Sequence, residues 1–131
     1  MEYVYCLRTC GKDLISYNDF QWPSAGPVAC DDWSDASTCG NGLHGLLWGV
    51  GEGLLLDWSK DAKWLVVKVL ASEIVKIDED KVKFPRGEVV FCGDRIGATN
   101  FLASQPGAAG RPIVGATVVA GYEGNATAGY R

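Results

Sequence analysis

Lys63-Trp64-Leu65-Val66-Val67-Lys68-Val69-Leu70 is the stretch on which the fold turns. Its apolar run is almost unbroken and rich in β-branched valine, and it is too short for a buried helix. That pattern predicts a central strand covered on both faces. Upstream, Asp57 to Ala62 reads as one short helix with Asp57 capping its first amides. Downstream, Ser72 to Ile77 continues or re-pairs the strand, and Asp78-Glu79-Asp80 turns the chain. Lys81 to Phe84 and Glu88 to Cys92 read as strands around a turn or bulge at Pro85-Arg86-Gly87. Asp94 is placed to cap a second helix running toward Ala103. At the start, Tyr3 to Arg8 is a strand, Gly11-Lys12-Asp13 a turn, and Asp13 to Trp22 a returning strand. Pro23 to Pro27 forces an irregular loop, and Cys30 to Thr38 is loop or short helix. Leu43 to Trp48 is apolar enough for a buried strand, and Gly49 to Gly53 reads as a flexible connection. About six strands against two short helices predict an α+β domain built on a mostly antiparallel or mixed sheet.

The chain has 131 residues, one domain's worth. It is 47% hydrophobic and 21% charged, which supports a core, and its net charge of −4 argues against direct nucleic-acid binding. Met1 to Tyr5 has no basic region followed by an apolar one, so no signal peptide is expected. No apolar stretch is long enough to span a bilayer as a helix. A cytoplasmic, membrane-independent protein is the resulting expectation. Five cysteines at unrelated spacings (Cys6, Cys10, Cys30, Cys39 and Cys92) suggest reduced thiols rather than a disulfide framework. After Gln105 the composition changes to Gly, Ala, Val and Thr. Val118-Val119-Ala120-Gly121-Tyr122 is echoed eight residues later by Ala126-Thr127-Ala128-Gly129-Tyr130. The expected organisation is a compact domain over 1–105 and a tail over 106–131 holding two octapeptide units, with strand segments of β-solenoid type. Such strands also offer a route to self-association.

Few motifs carry chemistry. Gly40-Asn41-Gly42-Leu43-His44-Gly45 matches Gly-x-Gly-x-x-Gly literally, but lacks the preceding strand and following helix that a dinucleotide site needs. His44 is the lone histidine, so any imidazole acid–base step must use it; a half-buried histidine fixed by a backbone carbonyl is the plainer reading. Zinc held by Cys30, Cys39, His44 and Cys6 or Cys10 lacks paired knuckle spacing, and no metal is assigned. Asp31, Asp32 and Asp35 lack the rhythm of a calcium loop and read as a solvated acidic face. Glu88 either acts on a ligand from a strand start or pairs with Arg86 or Lys83. Of the five tryptophans, Trp22, Trp33 and Trp48, with Gly42 and Gly45 beside them, are candidates to line a groove for a protein partner.

Gln21-Trp22-Pro23, Cys39 to Gly45, Asp61 to Val67 and Lys81 to Phe91 together resemble an uncharacterised domain of phage and prophage proteins that leads into repeats. The resemblance covers residues 3–103 and implies no established activity. The tail resembles the Ala-Gly-Tyr octapeptide rungs of bacterial ice-nucleation proteins, with too few rungs to template ice. A weaker likeness is to ADP-ribosyltransferases. Arg8, Gly42-Leu43-His44 and Glu88 follow that family's order, which implies Arg8, His44 and Glu88 as a catalytic set with NAD as cofactor, although His44 stands where that family has an aromatic residue. The leading expectation is a non-catalytic, phage-associated interaction domain that caps or leads into a β-solenoid, needs no cofactor and binds a protein, a host defence component being one candidate. The alternative is an NAD-using ADP-ribosyltransferase-like enzyme.

Overall fold

The computed structural model describes residues 1–79 and 81–116. The octapeptide echo at 118–130, and with it the expected solenoid strands, lies outside the described residues. The chain runs β1 (Tyr3–Cys10), β2 (Ile15–Ser16), β3 (Phe20–Gln21), β4 (Gly26–Ala29), β5 (Leu43–Leu47), β6 (Lys63–Leu70), β7 (Val75–Lys76), β8 (Val82–Phe84), β9 (Arg86–Gly93) and α1 (Arg95–Ala103). Seven strands form one sheet in the order β4-β9-β6-β1-β5-β8-β7, with every pairing antiparallel, and β2-β3 make a small separate hairpin.

The Lys63–Leu70 stretch lies next to the middle of the sheet, between β1 and β9, and Leu65, Val66 and Val67 are all wholly buried. Three successive residues without solvent require cover on both faces, as their composition predicts. Each such side chain contributes roughly 1.5–3 kcal/mol of burial. Val66 lies level with Phe91, which packs on Phe101 of α1, so this face carries the helix. Val67, level with Cys6 and Val89, looks the other way.

The sheet is rolled, and the reason is topological. Phe84 ends β8 and Arg86 begins β9, yet three strands lie between them in the sheet order. In a flat sheet those two strands would stand roughly 19 Å apart, whereas one intervening residue spans only about 7 Å. The sheet therefore curls until its two sides meet at Pro85, and β8 and β9 form one long bent strand. Pro85 has no amide hydrogen for a ladder, and its carbonyl instead accepts from Cys30 N–H at 3.0 Å, tying the end of β4 to the corner. The expected bulge is elsewhere, between Val66 and Val67 opposite Val89–Phe91.

Two helices were expected and one α-helix is present among the described residues. Asp94 caps it, its Oδ1 accepting from Gly97 N–H at 2.8 Å. The helix expected at 57–62 is a turn. Asp57 Oδ1 accepts from Ser59 N–H at 2.9 Å, and Ala62 N–H reaches back to Ser59 O, so the aspartate closes an Asx turn before β6 begins. The returning strand expected over 13–22 is cut to β2 and β3 by left-handed Asn18 and Asp19. Ser72–Ile77 turns rather than continuing β6, and its β7 re-pairs with β8. No helix among the described residues is long and apolar enough to cross a membrane.

Candidate functional site

Four of the sequence-derived candidates, Arg8, Trp22, Gly42 and His44, line one cleft; the others lie outside it. A cavity of about 190 Å³ opens between the β2–β3 hairpin and the loop preceding β5, lined among others by Arg8, Tyr17, Trp22, Asp32, Asn41 and His44. Arg8, on β1, is 6% exposed. Its Nη1 donates to His44 O at 3.0 Å and its Nη2 to Thr9 O at 3.1 Å, while the guanidinium lies 4.4 Å over the Trp22 ring. Trp22 in turn donates from Nε1 to Ser16 Oγ at 3.1 Å. Arg8 and Trp22 thus fasten the small hairpin to the sheet, a stacking that a guanidinium supports and an ammonium would not reproduce.

His44 holds the opposite wall. Its Nε2 accepts from Gly40 N–H at 3.1 Å, and the Gly40 carbonyl accepts from Lys83 Nζ at 3.2 Å. One residue is gripped at both its amide and its carbonyl, with Gly40 at φ +95, a conformation natural only to glycine. Accepting at Nε2 requires neutral imidazole with its proton on Nδ1. Burial pushes the His44 pKa down to about 4, and the cations Lys81, Arg8 and Lys83 push the same way against Asp32. The imidazole therefore clasps a loop and stays uncharged at neutral pH. Lys83 was missed as a site residue: it is wholly buried across from His44, with its ammonium 5.5 Å from the Trp33 ring centre. Its place between Val82 and Phe84 in an apolar strand is the signal that was there to read.

Glu88 does not join the cleft. It is exposed, level with Lys68 on β6, which is level with Tyr5 on β1. Tyr5 and Arg8 are three residues apart on a strand and face opposite sides, so Glu88 lies across the sheet from Arg8. It stands two strands away and about three residues along, roughly 14 Å at ordinary strand spacing. The Arg8, His44 and Glu88 set is divided by the sheet, and these residues do not fit one NAD between them. Nor does Glu88 pair with Arg86: that guanidinium Nε lies 3.3 Å from Glu73.

The aromatic candidates divide too. Trp22 and Trp48 are buried at 1% and 7% exposure, so their rings pack the interior rather than offer a surface to a partner. Trp33 reaches solvent and lies over Gly42, where a Cβ would stand 2.9 Å from its ring. Gly45 is small for the sheet's sake, because a Cβ there would meet Cys6 and the Leu7 carbonyl. Cys39 is exposed, with Lys81 Nζ 3.4 Å from its sulfur. Among the described residues, no three His, Cys, Asp or Glu side chains gather as metal ligands.

A second locus lies on the helix face, where the chain leaves the body. Ile113 is buried, Val114 N–H donates to Gly49 O at 2.8 Å, and Arg95 Nη1 donates to Gly115 O at 2.7 Å. Gly115 has φ +92, and a Cβ there would stand 3.0 Å from the Trp64 ring. Gly49 is equally tight: a Cβ would meet Leu102, Ile113 and Leu7. The Gly49–Gly53 connection thus begins with a close-packed residue. Ahead of the exit, Gly107 presses on Trp48 and Arg111 lies 5.4 Å over the same ring.

Residues 4–104 match a family described as a domain of unknown function, DUF7666. The chain belongs to that family. The DUF7666 chain is also similar to ice nucleation proteins. It is 38% identical to that of Xanthomonas campestris pv. translucens over 119 residues, 90% of this chain and 7% of that protein. To that of Pseudomonas syringae it is 40% identical over 106 residues, 80% of this chain and 9% of the relative. To the ice nucleation protein InaU of Pantoea ananas it is 37% identical over 100 residues, 76% of this chain and 10% of the relative. It therefore spans a tenth or less of these relatives. No solved structure matches. The Xanthomonas similarity leaves about a dozen residues of the chain uncovered, so it includes the exit at 113–116. These relatives overturn the cytoplasmic expectation. Ice nucleation proteins are anchored at the bacterial outer membrane, which conflicts with a cytoplasmic assignment.

Proposed function

We propose that this DUF7666 domain is a non-catalytic head module that anchors and caps an array of octapeptide repeats. The observation that carries this is the exit: Ile113 in the core, Val114 on the Gly49 carbonyl, and Gly115 between the Arg95 guanidinium and the Trp64 ring. A chain merely passing from a domain into a linker has no need of such seating. A repeat array ends in open strand edges and an apolar face, and a folded body joined rigidly to its first rung removes both liabilities. The polar residues of the cleft fit this reading, since Arg8, His44 and Lys83 make hydrogen bonds to the module's own backbone.

Tyr17, Asp31 and Asp32 line the cleft and exposed Trp33 lies over Gly42 of its wall, and this is the face we assign to a protein partner. The phage setting draws no support from the relatives named, which are bacterial. ADP-ribosyl transfer draws none from Glu88. The test is a chain in which several further octapeptides follow Arg131, made with and without residues 1–112. With the module it is expected to run as a single species in light scattering, and without it to associate end to end through unpaired edges. Equal association of both forms refutes capping.

A further inference from the structure

We propose that the groove formed by Trp58, Lys60, Trp64, Arg95 and Ile96 is the seat of the chain's own first octapeptide, beginning at Val118. The inference deepens the capping reading and rests on it. The groove encloses about 240 Å³ on the helix face. Two of its residues already hold the outgoing chain: Trp64 carries Gly115 on its ring, and Arg95 binds the Gly115 carbonyl. Ala116 N–H then closes a turn onto Ile113 O, so the chain is released at the groove's own lip.

The groove's chemistry suits the residues beyond Ala116. Trp58 meets Trp64 edge to face at 5.3 Å, giving an aromatic wall, and Ile96 stands 61% exposed on the first turn of α1. An apolar side chain so exposed beside two tryptophans calls for cover. The next residues of the chain are Thr117-Val118-Val119-Ala120-Gly121-Tyr122, small and β-prone, able to lie flat on an indole. Val118 reaches at most about 7 Å from Ala116, and Gly121 about 18 Å, so the segment can lie along the groove without a spacer. Fifteen residues follow Ala116, enough for the first unit to bind and the second to continue.

The test is amide hydrogen exchange on the 131-residue chain and on its Ile96→Asp variant. Ile96 is a surface residue at the start of α1, where an aspartate favours the helix, so the variant is expected to keep the fold while placing charge in the groove. In the parent chain the amides of 118–121 are expected to exchange roughly tenfold or more slowly than in unstructured peptide, as docked backbone does. In Ile96→Asp that protection should vanish, while Val66, Val67 and Val114 stay protected. Free exchange of 118–121 in the parent overturns the proposal, as does protection that Ile96→Asp leaves intact. Protection that rises with protein concentration overturns it too, by assigning the groove to a second copy. Free exchange of Val114 in the parent would instead remove the docked exit on which capping rests.

Discussion

The clasp at Gly40 makes stability depend on pH in a direction opposite to that of a histidine held by a carboxylate. His44 is neutral in the fold, with Nε2 accepting from Gly40 N–H, and its pKa is pushed down from 6.5 to about 4. In the unfolded chain the imidazole takes up its proton near pH 6.5, whereas in the folded chain it does so only near 4. Above 6.5 both states carry neutral imidazole and nothing is lost. As pH falls from 6.5 to about 4 the unfolded state binds the proton and gains on the folded one; below that the loss levels off. Without solvent screening a shift of that size would be worth roughly 3 kcal/mol. The cleft admits solvent to one side of the ring, and screening reduces this to ~1–2 kcal/mol. His44→Gln isolates the effect, because the glutamine Oε1 keeps an acceptor for Gly40 N–H without titrating. Urea unfolding followed by tryptophan fluorescence at about pH 7 and about pH 4.5 measures it in both proteins. Carboxylate protonation is common to the two, so the difference between their losses belongs to His44. Equal losses in parent and variant would refute the neutral clasp.

Asp94→Ala removes the cap of α1 and is expected to cost ~1 kcal/mol, read as a lower urea midpoint with an unchanged slope. Gly115→Val sets a β-branched residue at φ +92 against the Trp64 ring, for an expected loss of roughly 1–3 kcal/mol in thermal or urea unfolding; no loss would mean that the exit is not seated. Lys83→Met keeps the buried stem and removes the donor to Gly40 O, so amides of 34–42 should exchange faster while those of β6 do not. Glu88→Gln, at an exposed position away from the cleft, is expected to change stability by less than about 0.5 kcal/mol; a larger loss would contradict its position on the open helix face.

Much of the sheet was legible because its strands announce themselves by composition. Tyr3–Cys10, Leu43–Leu47, Lys63–Leu70 and Val82–Phe84 all lie where apolar and β-branched runs predict them, and Asp94 caps the helix it was expected to cap. What stayed hidden depends on contacts distant in sequence. The helix expected at 57–62 gave way to an Asx turn because the same aspartate that caps a helix also closes a turn when a strand begins a few residues later. The site was half legible. Arg8 and His44 do meet, through a bond spanning 36 residues that the order of residues did not foretell. Glu88 matched a pattern of order alone, and the alternation of side chains along β1 sends it to the other face. For Lys83 the place between Val82 and Phe84 was the one legible sign of burial, whereas its partners, the Gly40 carbonyl and the Trp33 ring, lie in a loop far upstream in the chain and were not.

The glycine-rich end of the body shows why the exit cannot loosen alone. At Gly49 the side chains of Leu7 from β1, Leu102 from α1 and Ile113 from the exit converge on the space a Cβ would fill, and the Gly49 carbonyl accepts from Val114. Peeling residues 113–115 away would uncover the side of Leu102 and Leu7 that Ile113 covers and leave the Gly49 carbonyl without its Val114 donor. Each exposed apolar side chain costs roughly 1.5–3 kcal/mol, so detaching the exit approaches the cost of opening the helix face itself. The sheet, the helix and the outgoing chain are thus joined at one glycine, and the direction in which the chain leaves is set by the core rather than by a linker. A body that dictates its chain's exit in this way can hold the first rung of a repeat array in a fixed orientation, which a flexibly tethered domain cannot do.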